Sequence, residues 1–162
     1  MGCGKSHWGR IWAEREGMQF FDLDQKIEER QQQSVNEIFN KHGEDVFRFL
    51  ETRMLRDLAR YENCLIACGG GTPCFHGNLE WMNEKGITVY LEAAPEYLFN
   101  NLKNETVVRP LVSKFNEAEL QFYIRYKLEK RRPFYERAKT RLNAATLNED
   151  SLNKIAEQCT GD

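Results

Sequence analysis

No apolar run in this chain approaches the ~20 residues of a membrane span, and the amino terminus is glycine-rich and polar rather than basic and then apolar, so no secretory signal is read there. Nor is there an excess of one charge: 23 Lys and Arg stand against 25 Asp and Glu, a net of −2. That balance argues against a nucleic-acid or membrane surface as the main partner, and any cationic site must be local. Cysteine lacks a pattern. Cys3, Cys64, Cys68, Cys74 and Cys159 are an odd number at unrelated spacings, which points to free thiols and a reducing cytoplasm rather than a disulfide framework. Cys64 and Cys68 sit in an apolar CLIAC run whose spacing fits no common zinc pattern, so both read as buried core thiols. There is no internal repeat and no low-complexity linker.

What remains is an ordinary globular composition, 41% hydrophobic and 30% charged over 162 residues, which by length is one domain. Helical and extended segments alternate. A helix is expected from about Lys5 to Glu16, closed by Gly17 as a C′ glycine. MQFF then runs extended into DLD, and the segment from Ile27 to Glu62 is helical in period, with Ser34 as a cap and Gly43 as a break. CLIAC (64–68) and ITVYLEA (87–93) read as strands buried on both faces. Helices are expected near Asn78 to Lys85 and from Pro95 to about Leu102. Another runs from about Glu117 to Arg132, interrupted at Pro133. RLNAATL is a candidate last strand, SLNKIAEQC a closing helix. Strands separated by helices imply a parallel sheet covered on both faces.

Ligands of such sheets bind beyond the carboxyl ends of the strands, which singles out MGCGKS, DLD and CGGG. In GCGKS the N–H groups of Gly2, Cys3 and Gly4 can wrap phosphate oxygens at a helix N-terminus, with Lys5 reaching the terminal phosphates and Ser6 offering a hydroxyl to Mg²⁺. Only half of the G-x-x-x-x-G-K-[ST] pattern is present, and a glycine-rich tail is the plain alternative. Asp22 and Asp24, two apart on an extended run, would point the same way. One could hold Mg²⁺ through water while the other binds a hydroxyl and accepts its proton; alternatively Asp24 caps the following helix. Arg48 and Glu51 are three apart on a helix, a spacing that makes either a surface ion pair or an arginine fixed for a substrate carboxylate. Three successive glycines after a strand, Gly69, Gly70 and Gly71, suggest a ligand against bare backbone. Arg109, in the aperiodic stretch KNETVVRPLVSKFN, is either solvated or a lid arginine that closes on a transferring phosphoryl group.

Taken in order, GCGKS, FFDLD with IEER, EIF with GEDVFRFLE, IACGGGT, ITVYL, VRPL and RRPFYERA resemble shikimate kinase, a family of small P-loop kinases of aromatic amino-acid biosynthesis. The resemblance runs over nearly the whole chain. It implies a P-loop three-layer α/β/α fold about a parallel sheet of family order 2-3-1-4-5. It also implies a single domain, 1–162, with a substrate-binding helical part at about 24–61 and a lid at about 103–116. The implied reaction is ATP-dependent phosphorylation of the 3-hydroxyl of shikimate with Mg²⁺ as cofactor, the partners being ATP and shikimate alone. By the same resemblance Lys5 contacts the β and γ phosphates, and Gly2, Cys3, Gly4, Ser6 and His7 belong to the ATP site. Ser6 ligates the metal, and Asp22 holds it through water. Asp24 binds the reacting hydroxyl and helps remove its proton. Arg48, Arg131 and the backbone of Gly69 to Gly71 hold the substrate's carboxylate and hydroxyls, Arg109 is the lid arginine, and Phe39 and Phe47 line the pocket.

Three departures from the family pattern carry their own expectations. His7 stands where the family has Thr, which alters a nucleotide contact. Asn100 and Asn101 lie near where relatives often place an adenine-stacking arginine, and NAATLNEDS holds none, so weaker ATP affinity or base selectivity is expected. The first, central strand of the sheet would have to precede Met1. Its loss, about five buried side chains at ~1.5–3 kcal/mol each, is worth roughly 10 kcal/mol, comparable to a domain's stability. The expectation is therefore a start internal to a longer protein. The alternatives are a truncated, catalytically impaired relative that works as a binding or oligomeric protein with another copy filling the sheet, or a related small-polyol kinase such as gluconate kinase. A monomer is expected unless the sheet is filled in that way.

Overall fold

The computed structural model of the chain describes residues 2–104, 115–153 and 155. It divides into two compact units, Lys5–Lys85 and Met1–Gly4 with Gly86–Asp162. Each unit carries one two-stranded parallel sheet.

In the Lys5–Lys85 unit, α1 (Lys5–Arg15) ends as the glycine predicts. Gly17 takes φ +63, and Met18 N–H bonds back to Ala13 O at 2.7 Å, closing a Schellman turn. β1 (Gln19–Asp22) follows, then α2 (Leu23–Gln31) and α3 (Val35–Leu58). Ser34 opens α3 with a reciprocal capping box to Glu37, and Gly43 kinks it at φ 83, ψ 173, a conformation open to glycine. β2 (Cys64–Ala67) lies parallel to β1 with Asp22 level with Ala67. The glycine run after β2 therefore starts at the same end of the sheet at which β1 delivers its aspartates. Helix and sheet approach closely at Gly9, where a Cβ would stand 2.7 Å from the Phe20 ring. Leu23 and Ile27 of α2 pack with Ile38, Phe47 and Leu55 of α3 into the core. α4 (Asn78–Lys85) closes the unit.

Contrary to expectation, β2 is not buried on both faces: Cys64, Leu65 and Ile66 are half-buried. β2 pairs with β1 along one edge, and among the described residues no strand lies on the other. Cys64 is thus less buried than a core thiol should be, while burial pushes the Cys68 thiol up to about 12, keeping it neutral.

In the other unit β3 (Val89–Glu92) pairs with β4 (Thr140–Asn143), Val89 level with Thr140. Between them run α5 (Pro95–Asn104) and α6 (Glu117–Tyr135), the latter opened by an Asn116–Glu119 capping box. Pro133 does not interrupt α6. It removes one i→i−4 bond near the end of the helix, and the next turn still closes through Glu136 N–H to Arg132 O at 3.0 Å. RLNAATL is only partly strand, because Asn143 Oδ1 accepts from Ala145 N–H at 2.9 Å and turns the chain into a 3₁₀ segment, Ala144–Thr146. Of the closing helix, Glu149–Leu152 is a 3₁₀ turn; 154 and 156–162 lie outside the described residues. Leu98, Leu102, Leu120 and Ile124 form this unit's apolar cluster, which also takes the Cys3 side chain.

The class is therefore α/β with parallel strands. The pairs β1–β2 and β3–β4 are the 2-3 and 4-5 pairs of the expected order, and the strand that the order puts between them has no counterpart among the described residues. No described helix is long and apolar enough to cross a membrane.

Candidate active site

The strand β1 runs straight into α2, and this junction decides where the two aspartates sit. Asp22 is the N-cap of α2: its backbone is extended (φ −95, ψ 118) and its Oδ1 accepts from Gln25 N–H at 3.3 Å. Its Oδ2 accepts from Ser6 Oγ at 2.6 Å. Asp24 does not lie on the extended run and does not cap the helix, as the two readings of the sequence had it. It sits in the first turn of α2. A strand-to-helix junction replaces the simple alternation of a strand.

Asp24 Oδ1 is buried and has no hydrogen-bond partner. Its carboxyl is pushed up to about 6, first by burial, then by the charges of Glu51, Asp22 and Glu28, with Lys5 opposing. A buried acceptor without a donor costs ~1–3 kcal/mol, so this oxygen is poised for a group that is not part of the protein's own hydrogen bonding.

Arg48, on α3, is 7% exposed and Glu51 is 0%, so the i, i+3 pair is not a surface ion pair. Arg48 Nη1 donates to Glu51 Oε2 at 2.9 Å; its Nε and Nη2 both donate to Glu44 Oε1, at 3.1 and 2.9 Å. Burial works against the guanidinium charge, but the two glutamates outweigh it and hold the pKa above its ordinary value. Three aromatic rings approach the guanidinium carbon, Phe75 at 4.5 Å, Phe47 at 5.2 Å and Phe39 at 5.8 Å. Phe39 and Phe47 thus pack on the arginine.

The glycine run completes this arrangement. A Cβ at Gly71 would lie 2.5 Å from Arg48 Nη1 and 2.6 Å from Cζ and Nη2, so only bare backbone can lie against the guanidinium. At Gly69 a Cβ would meet Glu51 Oε1 at 2.9 Å, Asp24 Oδ1 at 3.2 Å and Thr72 Oγ1 at 3.4 Å, so three oxygens converge on one glycine. Gly70 follows between them, half-buried.

Within the Lys5–Lys85 unit, then, Lys5, Ser6, Asp22, Asp24, Arg48 and Gly69 to Gly71 belong to one arrangement of hydrogen bonds, charges and close contacts. His7 is exposed, with its ring in a T-shaped contact with Trp8, ring centroids 5.3 Å apart. In the other unit Gly2 and Gly4 take φ +64 and +83, Asn101 Nδ2 donates to Gly2 O at 2.7 Å, and Arg131 is half-buried where Arg132 is exposed. Arg109, like most of the expected lid, lies outside the described residues. Sequence reasoning missed Glu44, Thr72, Phe75 and Asn78. Glu44 was visible as an i, i+4 partner of Arg48, whereas the others reach the site from beyond the glycine turn with no periodic signal.

Against known proteins, a family model described as shikimate kinase matches residues 1–160. A shikimate kinase of Phocaeicola vulgatus is 42% identical, with 95% of this chain and 93% of that protein covered. The crystal structure of the Bacteroides thetaiotaomicron shikimate kinase superposes with a TM-score of 0.92 at 38% identity, covering 100% of this chain and 94% of that one. A shikimate kinase of Acinetobacter baumannii in complex with shikimate gives 0.85 at 31%, covering 99% and 89%.

Proposed function

This chain belongs to the shikimate kinase family, and on that premise we propose how its own residues carry out the phosphorylation of shikimate by ATP. The reaction is a step of aromatic amino-acid biosynthesis. The observation that carries the assignment of roles is the unpartnered, buried Oδ1 of Asp24 beside Gly69, in the same unit as a guanidinium already fixed by two glutamates.

Arg48 holds the substrate carboxylate. A guanidinium has five N–H groups; three are taken by Glu44 and Glu51, which leaves one on each Nη for the carboxylate oxygens. Arg131 is the second arginine for that carboxylate, and the backbone of Gly69 to Gly71 receives the ring hydroxyls. Asp24 accepts the hydrogen bond of the reacting 3-hydroxyl and takes its proton as the oxygen attacks the γ-phosphorus. A carboxyl pushed up to about 6 is still ionised at neutral pH and is a better base than an ordinary aspartate. Gly2, Cys3, Gly4 and Lys5 hold the phosphates, and Arg109 stabilises charge on the transferring group. His7 stays at the edge of the ATP site.

Ser6 Oγ and Asp22 Oδ2, hard oxygens 2.6 Å apart, suit Mg²⁺: Ser6 would ligate the ion and Asp22 would hold it through water. When bound, the ion would neutralise charge developing on the transferring phosphoryl group.

The test is ADP release from the chain with ATP and shikimate. Turnover that requires shikimate is expected. No turnover, or equal turnover with gluconate, would overturn the reading.

A further inference from the structure

Glu51 is completely buried, and both of its carboxylate oxygens are engaged. Oε2 accepts from Arg48; Oε1 accepts from Thr72 Oγ1 at 2.6 Å. Thr72 is itself fully buried and is held through three groups. Its N–H bonds to Gly69 O at 3.1 Å, its hydroxyl to Glu51, and its carbonyl accepts from Asn78 Nδ2 at 3.0 Å. Asn78, also fully buried, donates to Thr52 Oγ1 at 3.0 Å and accepts from Arg56 Nη1 at 2.9 Å. Pro73 follows directly and begins no hydrogen bond of its own. The threonine thus has one place to be, and its hydroxyl has one direction to point.

We propose that Thr72 is a positioning residue for shikimate: its hydroxyl fixes the plane of Glu51, and Glu51 in turn fixes the Arg48 guanidinium that grips the substrate carboxylate. The proposal rests on the role given to Arg48 above. A carboxylate held at one oxygen can rotate about its own axis, and Arg48 Nη1 would follow Oε2. Held at both oxygens it is fixed, and a bidentate grip tolerates little angular error. The bond from Thr72 N–H to Gly69 O ties the same residue to the turn whose backbone receives the ring, so one side chain sets the guanidinium and the glycine turn to a common register.

Steady-state kinetics on three variants test this. Thr72→Val removes the hydroxyl at constant volume and is expected to raise the KM for shikimate about tenfold while the KM for ATP stays within twofold; Thr72→Ser keeps the wild-type shikimate KM. Thr72→Cys, whose thiol is a weak donor, gives an intermediate shikimate KM. A folded Thr72→Val with the wild-type shikimate KM, a rise shared equally by ATP, or a Thr72→Ser as impaired as Thr72→Val overturns the proposal. So does a failure of both Val and Cys variants to fold beside a normal Ser variant, which would mark the residue as structural. Failure of the underlying assignment is distinguishable, because Arg48→Lys would then leave the shikimate KM of the wild type unchanged.

Discussion

The two units of the chain spend their buried space differently. Among the described residues, the Lys5–Lys85 unit buries Arg48, Glu51, Thr72 and Asn78, whereas the Gly86–Asp162 unit buries only Thr140 among its polar side chains and fills its cluster with Leu, Ile and Ala. Two of its ion pairs, Lys103–Glu117 at 2.6 Å and Arg125–Glu96 at 3.0 Å, have every partner more than half exposed. Buried ions are expensive and are tolerated only when fully hydrogen-bonded. A fold that keeps a connected set of them, and leaves one carboxylate oxygen without a donor, is holding groups in place for something other than stability.

The sharpest way to break that contrast is Asp24→Asn. Loss of a general base lowers kcat by about 10²–10⁴, while ATP binding, read by titration, should stay within twofold; loss of ATP binding would move Asp24 to the metal side. The same substitution should stabilise the fold. A pKa raised to about 6 means the folded state holds the proton more tightly than the unfolded one, so stability falls as pH rises from 3.8 to about 6. The neutral side chain removes that loss, a gain of about 1–3 kcal/mol at pH 7 by denaturant titration. In the wild type, kcat/KM for shikimate should correspondingly drop about tenfold per unit below pH 6 as Asp24 takes up its proton.

Glu51→Ala strips Arg48 and Thr72 of a partner in a buried place, and the unfolding free energy should fall by about 3–5 kcal/mol. Gly71→Ala has no backbone strain to explain it, since φ is −89. The added Cβ pushes on the guanidinium, so the shikimate KM should rise about tenfold, a loss near 1.4 kcal/mol. At the bottom of the scale, Arg125→Ala removes an exposed pair of the other unit and should cost no more than about 1 kcal/mol, with unchanged kinetics. If Arg125→Ala costs as much as Glu51→Ala, the distinction between the units is wrong.

Much of this was legible beforehand. Gly17, Ser34 and Gly43 marked a helix end, a cap and a kink because each acts within a few residues of itself, and local rules suffice there. Burial of β2 was overestimated because an apolar pentapeptide tells what a strand would prefer to pack against and not whether a neighbouring strand is present. Pro133 leaves α6 unbroken because it stands within the last turn, where the rule for helix interiors no longer holds.

By itself the sequence determined the family, the glycine turns and the candidate carboxylates and arginines, since residue type and order carry those. Tertiary structure decided how each carboxylate is placed and bonded. Asp22 is a cap bonded to Ser6 because the strand ends there, and Asp24 keeps a buried oxygen without a hydrogen bond because α2 carries its side chain toward Gly69 and Glu51. It also brought Thr72 and Asn78 to Glu51 and Thr52, because hydrogen bonds between α3, the glycine turn and α4 join residues up to 26 positions apart, beyond the reach of any local pattern.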